Sequence, residues 1–444
     1  MSAVAVSSGF TAESFDAFIA VRNEPVWLKA IRRAAWKQFL ELPLPSRREE
    51  EWMRTDIRLF KLDKFAPAGQ PQTVDSAAAP APLLTAGVDL GGSMTVVNGA
   101  VRDASLIDEF KQKGVLFGSL DALVAEHGEK LQPYFERKLV NSSADKFAAL
   151  HAACWTGGTL LYVPRGVALE KPLHNIAALV GANAAGGVNP VDFSKILVIL
   201  EDGAQATLLS ETAGDNAPSL HCGSIELFVG PNARLRYVNL QHWGSGTWHF
   251  AHQKASVDRS GSLQWTIGAL GSRLAKVNQH VALAGEYAEA QVNGVMFTEG
   301  RQHLSYHTLQ HHEQPHCTSD LLYKGALQDD SRLVWRGMIR VDKDAQKTNA
   351  YQRDDNLMLS DGSRADSIPG LEIEADDVRC THGATAGRVD ESQIFYARSR
   401  GLTRKEAIRM IVAGFFQQVF DRIEMESVRE ALGLAIGRRI REYS

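Results

Sequence analysis

Cys380 and His382 stand two residues apart in the segment LEIEADDVRCTHGATAGRVDESQIFYARSRG, within residues 356–401, the most specific stretch of the chain. A thiolate and an imidazole suit zinc, copper or iron-sulfur chemistry, but two ligands do not complete a tetrahedral site. On a strand both side chains project to one side, with Cα atoms about 6.5 Å apart. Read as a metal half-site, the pair needs a partner chain. The competing reading is a buried structural cysteine beside a hydrogen-bonded histidine, because cysteine is among the most buried residue types.

A second candidate is the run His303, His307, His311, His312 and His316, followed by Cys317. His303, His307 and His311 share parity on a strand, so three imidazoles could line one face and, with Glu313, bind zinc or iron. Against this, Pro315 marks a turn and no H-E-x-x-H helix is present. The alternative is a row of histidines on a polar sheet face. Glu372, Glu374 and Asp376 could serve two-carboxylate chemistry on a polysaccharide, which would also require aromatic platforms along the same face.

The elements that must position these residues are legible from periodicity. Leu371, Ile373 and Ala375 alternate with acidic residues as a half-buried strand does, and the phase slips after Asp376-Asp377, predicting a corner or bulge. Residues 11–42 carry a helical pattern punctuated by Pro25, and Pro43 and Pro45 end it. Short strands and two or three further helices are expected over 94–147, the helices including 119–127 and 131–135. From 156 to about 389 strands follow one another with tight turns. Asp202-Gly203-Ala204, Pro231-Asn232-Ala233 and Ser260-Gly261-Ser262 recur about 29 residues apart, with later turns irregular, as in a degenerate β-solenoid repeat. A β-sandwich or barrel pair would also give short strands.

Thr403 and Glu406 form a capping box that opens a tail with Ile408, Ile411, Val412, Phe415, Phe416, Val419, Phe420 and Ile423 in its apolar run. A second helical segment carries Val428, Leu432, Leu434, Ile436 and Ile440. These helices either cap the solenoid or present an apolar face to a partner. The expected organisation is an N-terminal helical region (1–65), a Pro/Ala-rich linker (66–83), a mixed entry segment (84–155), a β-solenoid core (156–400) and a C-terminal helical domain (401–444).

Composition narrows the function classes. A formal net charge of −4 over 444 residues gives no basic field for nucleic acid and no polybasic membrane patch. The four cysteines are widely separated, which suits reduced thiols in a cytoplasm, and no apolar run is long enough for a membrane span. The N-terminus lacks the pattern of a secretory signal. P-loop, Rossmann and nucleophile-elbow motifs are absent, which argues against a stand-alone catalyst.

The run LEIEADDVRCTHGATAGRVDESQIFYARSRGLTRKEA resembles the signature of the SufB/SufD family of the SUF iron-sulfur cluster assembly machinery. LPLPSRREEEWMRTDI, FAALHAACWTGGTLLYVPRGV and DSRLVWRGMIRVDKDAQKTNAYQRDDNLMLS resemble family segments upstream, so the likeness spans nearly the whole chain. His382-Gly383-Ala384-Thr385 and the lack of an N-terminal cysteine-rich motif resemble the SufD branch. The resemblance implies a right-handed parallel β-helix core between helical ends. It further implies a non-catalytic scaffold subunit that pairs with a SufB-like paralogue through the cores, and a SufC-like ATPase docked on the C-terminal helices through Ile408, Ile411, Val412, Phe415, Phe416 and Val419. A homodimer in isolation is a further possibility. His382, with Cys380 as auxiliary ligand or neighbour, would then contact a transient cluster or iron shared with the SufB-like partner, and no nucleotide would bind this chain directly. The other readings are a self-contained metal-binding solenoid, using His303, His307 and His311, and a β-helix carbohydrate-active enzyme.

Overall fold

The computed structural model describes residues 9–67, 80–181 and 189–440. Most of the expected linker lies outside them. After the linker the chain is pinned at once, because the backbone N–H groups of Leu83 and Leu84 donate to the Glu211 carboxylate at 2.7 and 2.8 Å.

Helices α1 (Ala12–Ala20) and α2 (Val26–Glu41) form where the periodicity places them, with Thr11 and Ser14 closing a capping box and Pro25 at the cap of the second. Strands β1 (Gly92–Val97) and β2 (Ala100–Leu106) make a hairpin, then α3 (Asp108–Gln112) leads to β3 (Leu116–Ser119). The helices expected over 119–127 and 131–135 are both present, joined across a kink with non-helical backbone at His127 and labelled together α4 (Leu120–Glu136). Helix α5 (Lys146–Cys154) precedes the coils.

The remaining strands are β4 (Thr159–Val163), β5 (Leu173–Leu179), β6 (Val191–Asp192), β7 (Lys195–Leu200), β8 (Gln205–Gly214), β9 (Ser219–Val229), β10 (Arg234–Gln241), β11 (Thr247–Val257), β12 (Ser262–Ala269), β13 (Leu274–Leu283), β14 (Glu289–Thr298), β15 (His303–His312), β16 (Thr318–Leu327), β17 (Arg332–Val341), β18 (Asn349–Met358), β19 (Arg364–Ile373) and β20 (Arg379–Arg388). They form two ten-stranded sheets. One runs β2-β1-β5-β8-β10-β12-β14-β16-β18-β20; the other runs β3-β4-β7-β9-β11-β13-β15-β17-β19, with β6 beside β9. Apart from β1–β2 and β3–β4, neighbours are parallel, so each coil lays one strand on each sheet. This is the parallel β-solenoid that the repeat predicts.

The repeat is more regular than the sequence suggests. Gly203, Asn232, Ser260, Tyr287, His316 and Lys347 all have positive φ, at successive intervals of 29, 28, 27, 29 and 31 residues. Each donates its N–H to a carbonyl of the next coil, from Gly203 to Pro231 through to Lys347 to Asp377. The later corners escape a turn-based reading because Tyr, His and Lys carry no turn signal, although they occupy the left-handed region that glycine and asparagine favour.

Large side chains fill the space between the sheets, including Tyr237, Trp265, Tyr306, Tyr323 and Trp335. The N-terminal helices cover the outer face of the second sheet, where the Phe147 and Phe250 rings stack at 3.7 Å. Arg32 anchors this region from a fully buried position, paired with Glu24 at 2.7 Å and donating to the carbonyls of Ala153 and Trp155.

Helices α6 (Glu391–Ser399), α7 (Arg404–Phe420) and α8 (Glu426–Gly437) follow the last coil, and the Thr403–Glu406 capping box is present. They do not stop the end of the solenoid. Instead α7 and α8 lie along the outer face of the first sheet, against Leu209, Val238, Leu240, Val295, Phe297 and Leu322. This overturns the expectation that the tail's apolar run faces a partner. Ile408, Val412, Phe416 and Val419 are buried in that contact, and Ile411 and Phe415 are half-buried against it. The physical reason is that the sheet's outer face is itself apolar and must be covered. Gly268 shows the closeness of fit, since a Cβ there would stand 2.7 Å from Leu432 Cδ2. Leu434, grouped with the apolar residues of the second segment, is 60% exposed. Among the described residues no helix is long and apolar enough to cross a membrane.

Phe416 is therefore a stability residue. Phe416→Ala is expected to cost about 3–5 kcal/mol in urea unfolding of the isolated chain; a loss within about 0.5 kcal/mol would mean that the helix is not packed as described.

Candidate functional site at the open end of the solenoid

The corner predicted after Asp376 is present: β19 ends at Ile373 and β20 begins at Arg379. These strands are the last of their sheets, so among the described residues neither has a neighbour beyond it. The half-buried strand expected around Leu371 and Ile373 is consequently more open, at 38% and 40% exposure, because no further coil covers their side chains. Ala375 alone of that alternating set is buried.

Cys380 and His382 lie on β20 in register with Ala350 and Gln352 of β18, both buried, so the pair continues the inward face of the coil onto the open end. They differ in exposure. Cys380 is a half-buried free thiol packed with Val378 against Ile339, Val341 and Ala350, and burial pushes its pKa up. His382 is exposed. A Cβ at Gly383 would meet Arg353 and Tyr351 at 3.9 Å, an ordinary contact on the opposite face of the strand from His382. Each reading of the pair is thus half present: a packed cysteine and a free imidazole.

Beneath them lies a polar layer that sequence reasoning missed. Gln352, Asp354 and Asn356 all point inward from β18 and are buried. Asp354 accepts from Ser367 Oγ at 2.5 Å and Asn356 Nδ2 at 2.6 Å. Burial outweighs these bonds and raises its pKa to about 7, so the acid holds its proton well into the neutral range. The available signal was the Asp354-Asp355 pair within a strand pattern, since alternation must turn one of the two inward. Asp355 points the other way, accepting from Thr385 at 2.6 Å.

The histidine candidates resolve differently. His303, His307 and His311 share the outer face of β15 as parity requires, but four-residue steps hold successive Cα atoms about 13 Å apart. His311 is engaged by Glu313 at 3.2 Å and Asp342 at 2.9 Å. Burial lowers His303 to about 4 and His307 to about 2. His312 points inward onto Ser319. Among the described residues no three His, Cys, Asp or Glu side chains converge on a metal position. Glu372 faces outward on β19, while Glu374 and Asp376 sit in the corner.

Two measurements check this geometry. Alkylation of the native protein should modify Cys380 first, with a rate that climbs about tenfold per pH unit until pH passes the raised thiol pKa; Cys154, Cys222 and Cys317 are buried and should react only on unfolding. A Cys380→Ser variant that loses no fast-reacting thiol would contradict the assignment. For Asp354, the raised folded pKa means that stability is greatest below the unfolded value and is lost as pH rises toward about 7. Asp354→Asn should therefore stabilise the protein by roughly 2 kcal/mol at pH 8 and by much less at pH 4, and an equal effect at both would exclude a buried neutral acid.

Comparison with known proteins agrees with this layout. Residues 182–415 match the family model described as "SUF system FeS cluster assembly, SufBD core domain", and residues 15–174 match the "SufBD protein N-terminal region". An "Iron-sulfur cluster assembly SufBD family protein" of Staphylococcus epidermidis (strain ATCC 12228) is 26% identical over 427 residues, covering 91% of this chain and 88% of that protein. A Staphylococcus aureus (strain MRSA252) protein of the same family is 27% identical over the same shares. With both family regions matched and the solenoid formed, the chain belongs to the SufBD family of iron-sulfur cluster assembly proteins.

Proposed function

We propose that the chain is the SufD-like subunit of a SufBCD-type scaffold, working in the cytoplasm without catalysing a reaction itself. One observation carries this reading: among the described residues the solenoid ends in two unpaired strand edges, and one of these strands, β20, holds Cys380 and His382. Unpaired N–H and C=O groups are a template for strand addition, and Leu371 and Ile373 supply exposed apolar contacts beside them. A SufB-like paralogue ending in the same way would pair with these edges. Its thiolate and the His382 imidazole would then face one another across the junction, completing a ligand set that this chain alone lacks. The iron or nascent cluster is cargo held there transiently. Cys380 borders the site and, with its raised pKa, is the weaker ligand at neutral pH.

A SufC-like ATPase would dock on the C-terminal helices through the face turned away from the sheet. Phe395 and Tyr396 of α6 are 74% and 60% exposed, and Met410 of α7 is exposed as well. Ile408, Ile411, Val412, Phe415, Phe416 and Val419 then act indirectly, by holding the helices on the solenoid. ATP hydrolysis in the docked subunits would rearrange the junction and open the cargo site.

The test is co-expression with cognate SufB-like and SufC-like proteins and purification through a tag on this chain. The wild type should retain both partners. His382→Ala should retain both yet lose most of the bound cluster, and Phe395→Asp should lose the ATPase alone. A wild-type chain that retains neither partner overturns the proposal; normal cluster content in His382→Ala removes the histidine from the site.

A further inference from the structure

A groove of about 430 Å³ runs between the N-terminal region and the outer face of the second sheet, reaching Glu372 on β19 at one margin. Its floor is two adjacent lanes of side chains set by strand register. One lane is Lys254, His280, Leu309 and Met338; the other is His252, Asn278, His307 and Arg336. Four strands at about 4.8 Å spacing make the floor about 14 Å long. That length and volume suit a small molecule.

The polar groups on the floor are unevenly used. His252 is paired with Asp145 at 3.1 Å, and Arg336 reaches out to Glu50 at 2.8 Å. Lys254 is half-buried, and its ammonium has no hydrogen-bond or ion-pair partner among the described residues. Next to it, His280 Nε2 is buried without a partner. Burial pushes His280 down to about 3 and His307 to about 2, so both are neutral imidazoles, each offering one N–H. A half-buried ammonium, attracted by Glu313 and Glu226 without contacting them, and a buried ring nitrogen without a partner are both open to a ligand that can bond to them. Leu309 and Met338 give the same floor an apolar part.

We propose that this groove binds a small organic anion, a phosphate or carboxylate compound, with its charge on Lys254 and the neighbouring imidazoles and its carbon part over Leu309 and Met338. Glu51 and Glu372, both exposed along the groove, disfavour a long polyanion.

Isothermal titration of the full chain with glycerol 3-phosphate and with lactate tests this and separates the two chemistries. Binding of either probe, weakened at least tenfold in Lys254→Met and reduced in His307→Asn, is the expected result, and the tighter probe identifies the head group. Lys254→Met keeps the aliphatic stem, and an unchanged urea midpoint shows that it folds. No heat from either probe at concentrations on the order of 10 mM, or binding that both variants leave unchanged, overturns the proposal.

Discussion

Each coil must bring the chain back to the same register one strand further along, and the rest of the structure depends on that return. Parallel strands cannot be joined by a tight hairpin, so the corner residues carry the constraint. Six of them hold a left-handed backbone, and each hands a hydrogen bond to the next coil. Keeping that spacing stacks Tyr237 beside Trp265, and Tyr306 beside Trp335, in continuous layers. A slip of one residue would turn every inward side chain outward. The positions of Cys380 and His382 are therefore inherited: β20 is in register with β18, which is in register with β16, and so back through the stack.

Much of this was legible in the sequence, and what was not has physical causes. The first corners could be read because Gly203 and Asn232 announce a turn; Tyr287, His316 and Lys347 do the same work with side chains that announce nothing. Alternation placed His303, His307 and His311 on one face correctly, yet parity says nothing about convergence along a strand. The Cys380–His382 pair was visible through residue type and spacing. Asp354 was not, because a carboxylate aimed into a core contradicts the usual rule and only register shows which of two adjacent acids turns inward.

The tail is the instructive correction. An amphipathic helix reports that one face will be covered, without reporting by what. Here the cover is the chain's own sheet, and Arg439 extends the attachment by donating to the Leu270 carbonyl. Helices thus clad much of both outer faces of the solenoid, and among the described residues the edges of β19 and β20 stay open at its C-terminal end.

That cladding has an order in time as well as in space. Strands β8 to β16 leave the ribosome well before α7 and α8, yet those helices are what shield Leu209, Val238, Leu240, Val295 and Phe297. During synthesis the growing solenoid therefore displays a lengthening greasy stripe on one flank. A chain truncated before Arg404 would keep it permanently, making incomplete products natural clients for chaperones and proteases.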